Sequence, residues 1–384
     1  RLVIDTYIRH ETLYHLGGLR EIYFEETNTY SLSRQFLAAC RSSLRVLKGC
    51  APNEYALGVL TDFQFPHLHT LHFDYGEDAQ KPEAMQELVS YFPSKITSLR
   101  VPYDISDCFP QLQRLKHLDA PVDINAAATH LTQLTYLSTS KFERSTYLPQ
   151  LIDLSTPFDS LRTFVYHSAL RKSELNSIFS YCINLTRIKC VLGLPHPDSY
   201  VGSGQLVEAV FSLAKSSHSA EVEYDESLEN FTTSLINSNK DLRVFKCTLI
   251  CNDALVSKLK PNRIERLEGF QFMIEEEWEK LATVFPDVCH LTASGTLSDD
   301  LAKVLQALPS ITTLGLHTCQ RETTYSLFSY ISVLKEYGEK LSSIEVDMHY
   351  ELAIDVQHKS LGLLISELPN VTCLTVAGGF SSVK

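Results

Sequence analysis

A chain of 384 residues exceeds the roughly 250–300 at which a single compact core stops growing, so two globular domains or one elongated array are the alternatives. With 44% hydrophobic and 21% charged residues it has a folding composition, and a net charge of −12 with no run of Lys or Arg argues against nucleic acid as a partner. No stretch nears the roughly 18 consecutive apolar residues of a membrane span, and Arg1-Leu2-Val3-Ile4-Asp5 does not read as a signal peptide, so no membrane partner is expected.

Taken in chain order, one frame recurs: apolar-x-x-apolar-x-apolar. Leu2-Val3-Ile4 reads as the end of an earlier strand. The first apolar position of each later unit then falls at Leu19, Leu44, Leu68, Ile96, Leu115, Leu134, Leu161 and Leu185. A degenerate unit around Ser219, Val222 and Tyr224 follows, and the frame resumes at Leu242, Ile264, Val288, Ile311, Leu341 and Val371. The clearest copies are Phe65-Pro-His-Leu68-His-Thr-Leu71-His-Phe73 and Leu368-Pro-Asn-Val371-Thr-Cys-Leu374-Thr-Val376. That makes fifteen units about 25 residues apart, between positions 16 and 378. The last two apolar residues of a frame are two apart and share one side of a strand, while the residues between them point the other way. A single unit cannot bury its apolar side alone, so the units must stack.

Between strands the chain must return. Runs at 84–92, 174–181, 206–214, 276–285 and 324–337, with one opening at Ser298-Asp299-Asp300, carry apolar residues at helical spacing. Ser298 is a ready N-cap and the acids after it suit a first turn. Pro after Phe92, Phe285, Leu308 and Leu368 stops the helix before the next strand. The units around Leu115 and Leu134 are too short for a full helix and predict a turn or 3₁₀ segment. Residues 191–205, rich in Gly and Pro, predict a long irregular loop, a common place for binding contacts.

These frames, with Cys182-Ile-Asn-Leu185-Thr-Arg-Ile188-Lys-Cys190 and Cys40-Arg-Ser-Ser-Leu44-Arg-Val-Leu47-Lys-Gly-Cys50, resemble the leucine-rich repeats of F-box proteins, in the ribonuclease-inhibitor-like branch. The resemblance implies an α/β horseshoe solenoid with a parallel sheet on its concave side and helices and turns on its convex side. It implies a substrate-recognition domain of a ubiquitin-ligase receptor, holding a protein or peptide on the concave face. No F-box stands near the start of this sequence, so docking to a Skp-type adaptor would require one upstream. The whole of 1–384 is then expected to be a single solenoid cut from a longer chain. The alternatives are a leucine-rich-repeat scaffold or regulator unrelated to ubiquitin, and an extracellular recognition receptor.

Chemistry-bearing patterns are sparse. There is no GxGxxG, P-loop, HExxH or GxSxG, so no enzyme activity and no cofactor are expected. Ser203 between Gly202 and Gly204 reads as loop, and Glu275-Glu276-Glu277 as a solvated helix start. His67, His69 and His72 are close in sequence, but His69 and His72 would face opposite sides of a strand, so no metal is expected. The ten cysteines show no CxxC pair and mostly fall at apolar frame positions, suiting free thiols in the cytoplasm or nucleus. Sequons at Asn184, Asn230 and Asn370 carry the extracellular alternative. Alternation places Thr70, His72, Asp74, Arg100, His117, Asp119, Tyr136, His167, Arg187, Lys189, Glu223, Lys246, His290 and His317 on the concave face as candidate protein-binding residues. The face should be acidic toward its ends and basic near Arg187, Lys189 and Lys246.

Overall fold

The computed structural model describes residues 1–4, 18–24, 34–50, 60, 65–73, 95–139, 152–214, 225–294, 298–317, 327–347, 366, 368 and 370–377. Among them are sixteen strands whose order in the sheet is their order in the chain. The strand pairs with a resolved register are all parallel. This is the α/β architecture of a leucine-rich-repeat solenoid, a parallel sheet whose strands alternate with helices and turns among the described residues. The chain divides into two compact units.

Unit 1 comprises Arg1–Ser168 and Ser177–Leu185. Its strands are β1 (Leu2–Ile4), β2 (Glu21–Phe24), β3 (Val46–Cys50), β4 (Thr70–Phe73), β5 (Ser98–Arg100), β6 (His117–Asp119), β7 (Tyr136–Thr139) and most of β8 (Thr163–Leu170). The frame explains its core. Leu71, Leu99, Leu118, Leu137 and Phe164 occupy one register position across five strands and are at most 2% exposed. Beneath them the first frame residues Leu44, Leu68, Ile96, Leu115, Leu134 and Leu161 are buried as well. The short unit before Leu115 returns through a 3₁₀ turn, η1 (Ser106–Gln111). The one before Leu134 departs from the expected turn and forms a seven-residue helix, α2 (Ile124–His130), the second after α1 (Arg34–Cys40). The cause is local. Asp123 caps it by accepting from the Asn125 and Ala126 amides, and the small Ala126-Ala127-Ala128 run fits a tight return.

Unit 2 comprises Ala169–Asn176 and Thr186–Lys384. After α3 (Lys172–Tyr181), which straddles the boundary, come β9 (Arg187–Leu192), β10 (Glu208–Leu213), α4 (Glu226–Ser238), β11 (Val244–Cys251), α5 (Asp253–Lys258) and β12 (Arg266–Phe272). Then follow α6 (Trp278–Val284), β13 (His290–Ser294), α7 (Ser298–Ala307), β14 (Thr313–His317), α8 (Leu327–Tyr337), η2 (Gly338–Lys340), β15 (Ser343–Asp347) and β16 (Cys373–Ala377). Here a cluster of Phe rings packs among the frame Leu residues. Phe211, Phe245 and Phe270 meet edge-to-face with ring centroids 6.3 and 5.9 Å apart, and Phe231 and Phe285 pack on them from α4 and the end of α6.

One expectation fails outright. Residues 206–214 were expected to be helical, yet 208–213 form β10, in register with β9 from Glu208↔Arg187 to Leu213↔Leu192. Leu206-Val-Glu-Ala209-Val-Phe211 is the repeat frame with Ala in the usual Leu position. Leu206, Ala209 and Phe211 are each at most 1% exposed. The strand of this repeat lies at 208–213; Ser219, Val222 and Tyr224, where a degenerate unit is expected from the sequence, are outside the described residues. The run at 84–92 is also outside them.

A polar device ties successive repeats together in both units. The hydroxyl directly after the first frame residue donates to a carbonyl of the preceding repeat. The pairs are Thr97 to His69, Thr135 to Lys116, Thr312 to Cys289, Ser342 to Thr312 and Thr372 to Ser342, at 3.0–3.3 Å. The residue just before the frame does the same through Ser43 to Leu19, Ser160 to Leu134, Asn184 to Asp159 and Asn370 to Glu339, at 2.8–2.9 Å.

Candidate functional site

On the sheet side away from the core, register aligns side chains into rows. In unit 1 the first row runs Glu21, Val46, Thr70, Ser98, His117, Tyr136 and Thr163. The second runs Tyr23, Lys48, His72, Arg100, Asp119, Ser138 and Val165. The candidates Thr70, His72, Arg100, His117, Asp119 and Tyr136 thus share one surface, and His167 follows two residues after Val165 on β8. Thr70 is largely covered at 8% exposure. Arg100 pairs with Asp119 at 3.3 Å, and the His117 and Tyr136 rings lie 6.1 Å apart. Tyr23 carries the Arg1 guanidinium 4.5 Å and the Lys48 ammonium 5.6 Å from its ring centroid.

His72 is the most perturbed group here. Its Nε2 lies 2.8 Å from Ser98 Oγ. Burial, and then the charges of Lys48, Arg100 and His117, push its pKa down to about 4, so the imidazole is neutral at physiological pH. His167 Nε2 lies 3.2 Å from Ser138 Oγ, and His69 Nδ1 is 3.1 Å from Thr70 Oγ1. Among the described residues no three His, Cys, Asp or Glu side chains converge as metal ligands.

In unit 2 the first row is Arg187, Glu208, Val244, Arg266, His290, Thr313, Ser343 and Cys373. The second is Lys189, Val210, Lys246, Glu268, Thr292, Gly315, Glu345 and Thr375. Arg187, Lys189, Lys246 and His290 therefore share a surface, and His317 holds the next register position on β14, level with Asp347. Asp74 and Glu223 lie outside the described residues. Arg187 meets Glu208 at 3.6 Å. Glu268, 7% exposed, accepts from Lys246 at 2.8 Å and from Arg266, and lies 3.7 Å from His290 Nε2. Burial works against its charge, but the hydrogen bonds of the two cations outweigh it and hold its pKa below the ordinary value. Burial chiefly, helped by Arg266, lowers the His290 pKa.

Some of this surface was invisible to the sequence reading. Glu208 and Val210 were missed because their strand was read as helix, although the frame at Leu206 marks them. Lys48 was missed although it directly follows the buried Leu47, the outward position of its frame.

Residues 193–207 contain no strand or helix, and they are fastened along α4. His196, buried, places Nδ1 2.6 Å from Asp225 Oδ2, while Asp225 Oδ1 caps α4 by accepting from the Leu228 amide. The Tyr200 amide donates to Ser234 Oγ at 3.3 Å, and Asn239 Oδ1 accepts from the Leu206 amide at 2.8 Å. At Gly204, φ is +74° and a Cβ would meet the Ser238 carbonyl oxygen at 2.7 Å, so a side chain here is excluded twice over. This is an ordered strap over a helix. Leu194 and Val201 are its exposed apolar residues.

Six cysteines are buried thiols, at positions 40, 108, 182, 190, 247 and 251; Cys289 and Cys373 are exposed, and none of the eight is in a disulfide. Burial pushes Cys182 and Cys247 up to about 12, which leaves them unreactive. Asp253 accepts the amides of Glu275, Glu276 and Glu277 at 2.8–3.2 Å, so that acidic run is the turn that opens α6. No helix among the described residues is long and apolar enough to cross a membrane.

No protein-family model matches the chain, and no curated protein does. Among solved structures the chain is similar to the leucine-rich repeat-containing protein LegL7 from Legionella pneumophila. The two are 12% identical over 98% of this chain and 90% of that one, with a TM-score of 0.27.

Proposed function

We propose that this chain is a protein-interaction module that receives a protein or peptide on the outward sheet face, and that it performs no chemistry of its own. The observation that carries this reading is the registered face itself. Strand after strand presents aligned side chains to solvent, and in unit 1 these include Tyr23, His72, His117, Tyr136 and His167. Aromatic and imidazole groups on a rigid sheet give contact area at little cost in side-chain entropy, which favours recognition.

The resemblance of the repeats to those of F-box proteins extends the proposal to substrate recognition for a ubiquitin ligase, with catalysis left to partner subunits. The buried free thiols suit a reducing cytoplasmic or nuclear setting. The amides of Asn184 and Asn370 are committed to bonds between repeats, which weighs against glycosylation there and against the extracellular alternative.

The test is affinity capture with the full-length protein as bait, comparing the native chain with the double variant His117→Ala/Tyr136→Ala. The expected result is recovery of a partner that the variant loses, together with a Skp-type adaptor that both retain. Recovery of the partner without the adaptor would abandon the ubiquitin reading and keep the interaction module as a scaffold or regulator. A set of captured proteins unchanged by face variants in either unit would abandon the sheet face.

A further inference from the structure

We infer that the outward face of β9–β13 docks an acidic, partly apolar segment of a partner protein. This rests on the sheet-face reading above and adds what chemistry the face selects. The two rows of these strands carry four cations, Arg187, Lys189, Lys246 and Arg266, against two carboxylates, Glu208 and Glu268. The excess is local, because the chain carries −12 overall and the unit 1 rows balance Lys48 and Arg100 with Glu21 and Asp119.

Both carboxylates are already committed. Glu208 faces Arg187, and Glu268 is shared by Lys246 and Arg266, so one negative charge serves two cations. Lys189 stands exposed, level with Val210 and not with an acid. Among the described residues of these rows two positive charges remain in excess, and an incoming carboxylate supplies what the face lacks.

The surroundings define the rest of the ligand. Val210 and Val244 are interleaved with the cations; beyond them Val191 pairs with Ser212 on β9 and β10, and Ile250 pairs with Gln271 past the register shift between β11 and β12. None of these carries charge, so the basic strip borders an uncharged one in which Val191 and Ile250 supply apolar contact. Beyond β13 the second row turns to Gly315 and then Glu345, which bounds the site. Lys189 and Lys246 are two strands apart, about 10 Å at the usual strand spacing. An extended segment crossing the strands covers that distance with acids three residues apart. Nucleic acid fits less well, since a phosphate backbone calls for a train of unpaired cations and this face offers an excess of two.

The experiment is fluorescence anisotropy on the folded chain with labelled 12-residue peptides. One carries Glu at every third position with Leu and Ser between, a second has Lys in place of Glu, and a single-stranded 20-nucleotide DNA is the third probe. The acidic peptide should bind at least tenfold tighter than the other two. Lys189→Glu should weaken it at least tenfold and Lys189→Gln about threefold, with unchanged thermal melts. Lys240→Glu, in the exposed turn after α4, should stay within twofold. Equal binding of the acidic and basic peptides, indifference to Lys189, or tighter binding of the DNA would each overturn the inference. Selection from a random 12-residue display library separates it from the broader reading. Selected peptides that lose binding in His117→Ala/Tyr136→Ala but not in Lys189→Glu overturn the acidic site and leave the sheet face standing. Selected peptides indifferent to both variants overturn both.

Discussion

The faces of the two units are built on the same ladder and carry different chemistry. On unit 1, Arg100 and Asp119 cancel, and rings stand among small hydroxyl residues: Tyr23, His72, His117 and Tyr136 beside Thr70, Ser98 and Ser138. In the two outward rows of β9–β13 in unit 2 the one ring among the described residues is the His290 imidazole, and cations crowd two carboxylates. The cores do not differ in this way: buried Leu lines both, and six of the largest fully buried Phe side chains fall in each unit. A repeat frame fixes which positions are buried and leaves the alternate positions free. Two stretches can therefore share a fold and diverge in what they can hold.

The largest effects should come from breaking the two cores in parallel. Leu137→Ala in unit 1 and Phe245→Ala in unit 2 each remove a side chain with no solvent exposure. Each should cost about 3–5 kcal/mol. The Phe245 loss should be the greater, because two edge-to-face contacts worth about 0.5–1.5 kcal/mol each go with it. Urea denaturation monitored by far-UV circular dichroism measures both. A loss below about 1 kcal/mol at either site would mean that its spine is not packed as described.

A middle-sized effect should appear with acid and separate the faces by pH. His72 is neutral in the folded state with a pKa of about 4, against 6.5 when unfolded. Below pH 6.5 the unfolded chain binds the proton first, so stability is intact above 6.5 and falls as pH drops toward 4. After allowing for solvent screening of a half-buried group, the loss is about 1–2 kcal/mol. His72→Gln keeps a hydrogen-bonding partner for Ser98 and should flatten that slope. Glu268 behaves otherwise. Its lowered pKa leaves its contribution whole above 4.5 and removes it only at lower pH. His290 is shifted in the same direction as His72, so the difference between native and His72→Gln curves is what isolates unit 1. Identical curves from pH 7 to 4 would rule out the neutral His72.

The sequence made the sheet readable because the frame repeats, and each copy supports the rest. It failed at β10, where Ala209 stands in for Leu and no Pro-stopped helix precedes the strand, so a helical period and a strand frame competed over the same apolar residues. It also placed Arg187, Lys189 and Lys246 in a basic middle without Glu208 and without the pairing of Lys246 to Glu268. Glu208 was hidden in the misread segment, and pairing across strands depends on register, which one strand's sequence does not contain. The strap at 193–207 was readable as irregular, but not as fastened. The bonds from His196 to Asp225 and from Leu206 to Asn239 span 29 and 33 residues.

The smallest effect tests what the two units share. The hydroxyl ladder runs through both, with Thr135 donating to the Lys116 carbonyl at 3.0 Å in unit 1 and Thr312 to the Cys289 carbonyl at 3.3 Å in unit 2. Thr→Val preserves shape and β-branching, so backbone preference and packing stay nearly constant and the hydrogen bond is what is lost. Each of Thr135→Val and Thr312→Val should cost about 0.5–1 kcal/mol, with Thr135 the larger because its bond is shorter. Both carbonyls also accept backbone amides of the next repeat, Thr135 and Tyr136 for Lys116, Thr312 and Thr313 for Cys289. Neither is left unsatisfied, which is why the loss stays small. Denaturation midpoints would show it. Similar small losses at both positions would mark the ladder as scaffold, indifferent to the faces it supports. A large loss at one alone would show that hydroxyl to be holding its own repeat in register, and would tie that unit's face to its ladder.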